Sequence, residues 1–322
     1  MTKYVLKRIG LLIMSAFIIM TMLFVLIRML PNQIEATQGG YDEAVRRMRE
    51  AWGYNKPIMV QYGIFLKNVF TKWDWGFCTK MGTFLQPVTE YMASKLPSTF
   101  YVYVISLLIS FPLGILFGMV AAIFKNKWQD QVINVFIMFF ISVPSFVYAF
   151  LLQYYIGFKL GWAPLVMEGG SNYFSWSMLH SAILPILALS FSVIAGDMRL
   201  VRAELTETLT SDYMLLARTK GLTRRQATFR HAFRNSLVPL MPTFMADVIY
   251  VIGGSMIIEQ IFAVPGIGKT FITSITMRDY SVFMAIAMFY CMVSLGAQIL
   301  FDLSYGLIDP RIRMGGGKTN EL

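Results

Sequence analysis

Few side chains in this sequence are equipped for chemistry, and the most conspicuous group lies in AVPGIGKT, Ala263 to Thr270. A turn ending in Gly-Lys-Thr can hold a phosphate, because backbone N–H groups and a lysine ammonium converge on the anion. That arrangement needs a strand leading in and a helix leading out. Here the residues before the turn belong to an apolar run of transmembrane length, and Ala263 stands where the strict pattern has glycine. We therefore read the segment as a Pro/Gly turn re-entering a membrane. Cys78 and Cys291, with His180 and His231, are too few and too scattered for a metal site or a disulfide framework. No nucleophile stands beside a base at a usable spacing, which argues against an enzyme.

Two other groups of residues invite a functional reading. Thr243, Asp247, Tyr250 and Gly254 follow i, i+4, i+7 and i+11, a polar and small stripe on one face of a helix. An ionisable residue inside a membrane helix costs roughly 2.5–3.5 kcal/mol on insertion scales, so such residues face a bundle interior or a wet cavity. The stripe can line a translocation path, or Asp247 can pair with a polar group on a partner. Phe244, Val248 and Ile252 point away from it. The second group lies in the basic stretch Arg199 to Arg234. DYMLLARTKG, Asp212 to Gly221, has an acidic start and a glycine stop, the marks of a short helix. Tyr213, Leu216 and Ala217 fall on one side of it, and Arg218 near its end. Ala217 and Gly221 are small enough to admit a partner protein closely.

These residues are positioned by membrane helices. Of 322 residues, 56% are hydrophobic and 14% charged, against roughly 45–50% and about 25% in soluble domains. Six apolar segments are expected to cross the bilayer: Ile9–Leu30, Phe100–Phe124, Val132–Phe158, Leu179–Val193 with its flanks, Leu237–Ile258 and Val282–Leu307. Each approaches the ~20 residues that a spanning helix needs. Prolines 112, 144, 185 and 242 lie within them, which membrane helices tolerate when neighbours satisfy the freed backbone groups. The net charge of +10 sits between the apolar segments, so membrane rather than nucleic acid explains it.

With the N-terminus in the cytoplasm, the inside segments carry sixteen Lys and Arg, and the short outside loops carry only Lys159, Lys269 and Arg278. Basic residues stay inside, so N- and C-termini are expected to be cytoplasmic. The Pro31–Ser98 loop is then external. Its Trp52, Trp73, Trp75, Tyr41, Tyr54 and Tyr62 make it too aromatic for a disordered linker, and a small folded cap is expected. Gly114, Gly118 and Ala122 recur every four residues, a spacing that lets two helices approach closely, either within the bundle or at a subunit interface.

At the basic loop the sequence resembles a family. Ala217, Gly221, His231, Asn235 and Pro239 resemble the cytoplasmic loop signature of binding-protein-dependent ABC importer permeases, more narrowly the oligopeptide/dipeptide permease B type. The likeness continues in order along the chain, through WGYNKPIMVQY, QPVTEYMASKLPSTF, ISVPSF, EQIFAVPGIGK, MRDYSV and LIDPRIR. Asn32-Gln33 and Trp73–Gly76 depart from the family's usual Gly-Asp and Gly-Asp-x-Gly.

The resemblance implies an all-α integral membrane protein with the type I importer permease fold and about six transmembrane helices. Its divisions would be a first helix over 1–30, an external loop over 31–98, a permease domain over 96–306 with a coupling loop at 199–235, and a cytoplasmic tail over 307–322. It implies a non-catalytic subunit of a peptide importer in a bacterial inner membrane. Its partners would be a second homologous permease, two cytoplasmic ATPases that bind the ATP, an extracytoplasmic peptide-binding protein and membrane lipid, with no nucleic acid and no cofactor of its own. Asp212, Tyr213, Leu216, Ala217, Arg218 and Gly221 would couple to the ATPases. A nickel or chelated-metal permease of the same family and a stand-alone secondary transporter are the alternatives.

Overall fold

The computed structural model describes residues 2–30 and 41–308, with the side chains of 2–7, 41, 42, 44, 45, 249–253 and 300–308 outside that description. The tail expected to be cytoplasmic and the Asn32-Gln33 departure therefore lie mostly or wholly outside the described residues. In chain order the α-helices are α1 (Thr2–Met29), α2 (Tyr41–Ala51), α3 (Ile58–Lys72), α4 (Val88–Ile123), α5 (Trp128–Ser142), α6 (Ser145–Leu152) and α7 (Trp176–Leu209). They continue with α8 (Asp212–Thr219), α9 (Arg224–Ala227), α10 (Phe233–Leu237), α11 (Met241–Gly253), α12 (Met256–Ile261), α13 (Ile267–Thr276) and α14 (Tyr280–Ile308). The described residues contain no strand, only one isolated antiparallel bridge between Phe77 and Pro87.

Among the described residues four helices are long and apolar enough to cross a membrane, and five if the bent pair Trp128–Ser142 and Ser145–Lys159 counts as one span. Two expected segments differ from single straight helices. Val132–Phe158 bends by 103° at Val143-Pro144, where Val143 adopts an extended conformation with ψ 124°. Proline disfavours the α conformation in the residue before it and supplies no N–H to the ladder, so the helix ends there. Leu237–Ile258 is divided by a 3₁₀ turn at Val238–Leu240 and by Gly254, at φ 65°. Helix α4 begins twelve residues before the expected Phe100, and its 36 residues span about 54 Å at ~1.5 Å per residue. That exceeds a hydrocarbon core of roughly 30 Å, so α4 is longer than a span requires.

The chain forms two units, Met1–Pro97 with Lys269–Leu295, and Ser98–Gly268 with Gly296–Leu322.

In the first unit aromatic side chains cluster between α1, α3 and the segment that follows α3. Phe24 of α1 is 1% exposed, with the rings of Tyr62 and Phe65 on α3 both 5.1 Å away. Trp52 and Trp75 are buried, while Trp73 lies largely in the open. The Asp279 carboxylate, itself fully buried, pins the loop: its Oδ2 accepts the N–H groups of Thr79 and Lys80 at 2.8 Å and of Met81 at 3.1 Å. Cys78 is buried beside them. Burial, and then the Asp279 carboxylate, push its thiol up to about 12. At neutral pH almost no thiolate forms, and Cys78 is a poor native reporter of exposure.

In the second unit α4 and α7 pack along their small residues. A Cβ on Gly114 would lie 2.5 Å from Asp197 Cβ, and one on Gly118 would lie 2.8 Å from Val201 Cβ and 2.9 Å from the Met198 carbonyl. Ala122 joins Leu205 in a shared apolar cluster. The pairs advance by four residues on both helices, so α4 and α7 run in the same direction. The small-residue spacing therefore serves packing within the chain. Ser106 and Ser190, 3.1 Å apart, continue the seam.

Candidate functional site

Helix α8 is eight residues long and ends in a glycine motif. Gly221 has φ 91°. Its N–H donates to the Arg218 carbonyl at 3.0 Å and the Leu222 N–H to the Ala217 carbonyl at 3.3 Å. This pair of bonds is the Schellman arrangement, which satisfies helix-end carbonyls through a left-handed residue that glycine adopts without steric cost. The expected glycine stop is present.

The faces of α8 differ from expectation. Met214 and Ala217 are buried, in one cluster with Ala122 at the end of α4, Leu205 of α7, Ala227 and Ala232. Ala217 therefore faces the chain's own interior and not outward with Tyr213 and Leu216. An eight-residue helix has room for one inward stripe, and Met214 and Ala217, three apart, take it. Outward lie Tyr213 at 40%, Leu215 at 65% and Leu216 at 56% exposure, flanked by exposed Asp212, Arg218 and Lys220. Leu215 is not legible from helical spacing, because it falls between the members of the Tyr213–Leu216 face. An apolar outer face with a charged rim has the composition of a docking surface, and its inner side is seated on α4 and α7.

A clamp holds the same region. Arg202 of α7 makes a two-pronged ion pair with Asp130 of α5, Nε to Oδ1 at 2.6 Å and a terminal nitrogen to Oδ2 at 2.9 Å. The Asn126 N–H at 2.8 Å and the Asn134 amide at 2.9 Å complete the carboxylate's shell. Asp130 is 2% exposed. Sequence reading passed over it, since its partner is 72 residues away.

The Asp247 stripe is only partly preserved. Thr243 and Asp247 are half-buried on α11, while the Tyr250 side chain lies outside the described residues. Gly254 leaves the stripe, because the helix ends at Gly253 and Gly254 turns toward Glu259 instead. Phe244 packs on Phe111 of α4, ring centres 5.3 Å apart. Asp247 lies close enough to Asp197 of α7 to act on it electrostatically. Asp197 is 2% exposed, and its Oδ2 has no hydrogen-bond partner among the described residues. Two carboxyl groups thus share the interior where one was expected.

The phosphate-like turn encloses a carboxyl group of this chain. It follows a helix, α12, and Glu259 on that helix is 1% exposed. The Thr99 hydroxyl donates to Glu259 Oε1 at 3.0 Å and accepts the Ile267 N–H at 2.9 Å. A Cβ on Gly254 would sit 2.6 Å from Oε1, one on Gly268 3.0 Å from Oε2, and one on Gly266 would overlap both Oε2 and the Thr99 hydroxyl. The glycines of the motif are there to let the backbone wrap Glu259. Gly266→Ala is expected to lower the melting temperature of the purified protein more than Glu259→Gln does. The first drives a methyl into the buried Glu259 carboxylate and the Thr99 hydroxyl that pairs with it, and the second leaves a buried group mispaired at about 1–3 kcal/mol. Equal melting curves for both variants and the wild type would disprove this account.

Two family models match most of the chain. Residues 114–314 match "Binding-protein-dependent transport system inner membrane component", and residues 1–102 match the N-terminal part of such membrane components. The dipeptide transport system permease protein DppB of Lactococcus lactis is 34% identical over 98% of this chain and 100% of its own length. Its Bacillus subtilis namesake is 32% identical over 98% and 99%. The oligopeptide transport system permease protein OppB of Mycoplasma genitalium is 32% identical over the whole chain and 79% of its own length.

Proposed function

The chain belongs to the family of binding-protein-dependent transport system inner membrane components, and from that premise we propose that it is a permease subunit of an ATP-driven peptide importer. The observation that carries the reading is full-length similarity to dipeptide and oligopeptide permeases. It is supported by the apolar outer face of α8, seated on long membrane helices. The chain contributes one half of a path completed by a second, homologous permease. Of two cytoplasmic ATPases, one docks on Tyr213, Leu215 and Leu216 within the rim of Asp212, Arg218 and Lys220, and an extracytoplasmic protein delivers peptide. ATP is bound by those partners, and this subunit needs no cofactor of its own. Closure of the ATPases shifts α8, and the Met214–Ala217 seat passes the shift to α4 and α7, which opens the path alternately to each side.

Within the path, Asp247 and Thr243 face the passing substrate, and the carboxylate attracts a peptide's amino terminus. Asp247→Asn keeps size and hydrogen bonding but removes the charge. In proteoliposomes with all partner subunits, uptake of labelled di- and tetrapeptides is expected to fall about tenfold, equivalent to roughly 1.4 kcal/mol. Uptake of N-acetylated peptides is expected to change little. Equal uptake by Asp247→Asn and wild type removes Asp247 from the path. ATP-dependent uptake of a nickel chelate without peptide uptake, or uptake without ATP, overturns the peptide reading itself.

Both termini are cytoplasmic in this proposal. In intact cells a membrane-impermeant maleimide is expected to label Thr83→Cys, which is exposed, but neither Thr223→Cys nor the native Cys78. Labelling of Thr223→Cys from outside reverses the orientation.

A further inference from the structure

The first unit contains a cavity of about 130 Å³ that peptide transport leaves unused. Its walls are aromatic, with Phe24, Trp52, Tyr54, Phe65 and Trp75 among them, and three arginines, Arg28, Arg49 and Arg278, reach it. The Arg28 guanidinium lies 3.8 Å from the centre of the Tyr54 ring and 5.1 Å from that of Phe24, and Arg49 lies 5.5 Å from Tyr54. Among the described residues no carboxylate pairs with any of the three. By contrast, Arg46 and Arg47 on α2 each have a glutamate one turn away. Positive charge held on aromatic faces without an acid partner leaves guanidinium N–H donors available to an anion.

The level of this cavity along α1 identifies the anion. Arg28 is one residue from the end of the span Arg8–Met29, where a bilayer's headgroups begin. Beside it Leu26, Met29 and Leu30 are 57%, 74% and 44% exposed, an apolar flank facing outward. Sites that enclose a drug-sized ligand measure roughly 300–1,000 Å³, so this cavity accepts a headgroup and not a whole peptide. We infer that it binds the headgroup of an acidic phospholipid from the leaflet at the C-terminal end of α1. The phosphate would lie on Arg28 and Arg49 and the acyl chains along the outer flank of α1. Such a lipid would hold α1 against α3 and the aromatic cap.

Native mass spectrometry of the assembled transporter, titrated with phosphatidylglycerol or phosphatidylcholine, tests this. The wild type is expected to retain one phosphatidylglycerol that Arg28→Gln/Arg49→Gln binds at least tenfold more weakly, and phosphatidylcholine is not expected to be retained. Arg46→Gln/Arg47→Gln, which removes the paired arginines, is expected to behave as wild type. Free glycerol phosphate distinguishes lipid from soluble anion: displacement of the bound lipid at equal concentration shows that the site takes a free anion, and overturns the proposal. Equal retention of both lipids, unchanged binding by Arg28→Gln/Arg49→Gln, or displacement by a substrate peptide does so as well. If that variant fails to assemble, a phosphatidylglycerol carrying a photoreactive headgroup is applied to the wild type. Crosslinks at residues 28, 49 or 52 support the site, and crosslinks confined elsewhere refute it.

Discussion

Leu215→Asp/Leu216→Asp is expected to abolish peptide uptake while the protein still inserts and remains folded. The two leucines are the most exposed apolar residues of α8, at 65% and 56%, and neither belongs to the inward cluster of Met214 and Ala217. Their replacement removes nothing from the chain's own core. At an interface, a central apolar anchor is worth about 2 kcal/mol or more, so losing both weakens docking by roughly three orders of magnitude. Pull-down of the ATPase subunits on the tagged permease measures this directly. Met214→Asp supplies the contrast: it places a charge in the buried seat and is expected to reduce the yield of folded protein. Undiminished ATPase recovery with Leu215→Asp/Leu216→Asp would show that the subunits dock elsewhere.

Gly118→Ala is expected to destabilise the protein, although glycine to alanine inside a helix ordinarily stabilises it by about 1 kcal/mol. The sign reverses because the new methyl would lie 2.8 Å from Val201 Cβ and 2.9 Å from the Met198 carbonyl. Overpacking of this kind costs roughly 1–3 kcal/mol, and here one contact is backbone, which yields only if α4 and α7 separate. Gly196→Ala, on α7 with nothing within 4 Å of the added carbon, is expected to leave stability unchanged or raise it. Thermal unfolding of the purified chain, followed by size-exclusion chromatography after heating, separates the two. A Gly118→Ala melting curve at or above that of Gly196→Ala would show that the helices pack otherwise.

Much of this protein is legible from single residues and their spacing. Long apolar stretches force helices, because no backbone group can remain unpaired in hydrocarbon, and α1, α4, α7 and α14 accordingly cover the stretches that hydropathy marks, with α4 and α7 running beyond them. The glycine stop at Gly221 is local chemistry, since a positive φ is cheap for glycine alone. The motif order around Ala217 and Gly221, and from Glu259 to Lys269, identifies the family without coordinates, and the aromatic content of 41–75 announces a folded cap.

What the linear order does not contain is partnership across distance. The spacing of Gly114, Gly118 and Ala122 marks a close approach but is silent on what approaches, and only the fold supplies Asp197, Val201 and Leu205. The glycines after Pro265 look like a phosphate cradle until Glu259 is seen filling the turn with Thr99, 160 residues earlier. Asp130 and Arg202 are unremarkable until the chain brings them together. The outward side of α8 is likewise a tertiary decision. Tyr213, Leu215, Leu216, Met214 and Ala217 all favour burial, and the six-residue cluster formed with α4 and α7 has room for only two of them. Helix formation depends on neighbours a turn away and is written locally. Burial is a competition among distant side chains for limited interior volume, and it is settled only when the chain has folded.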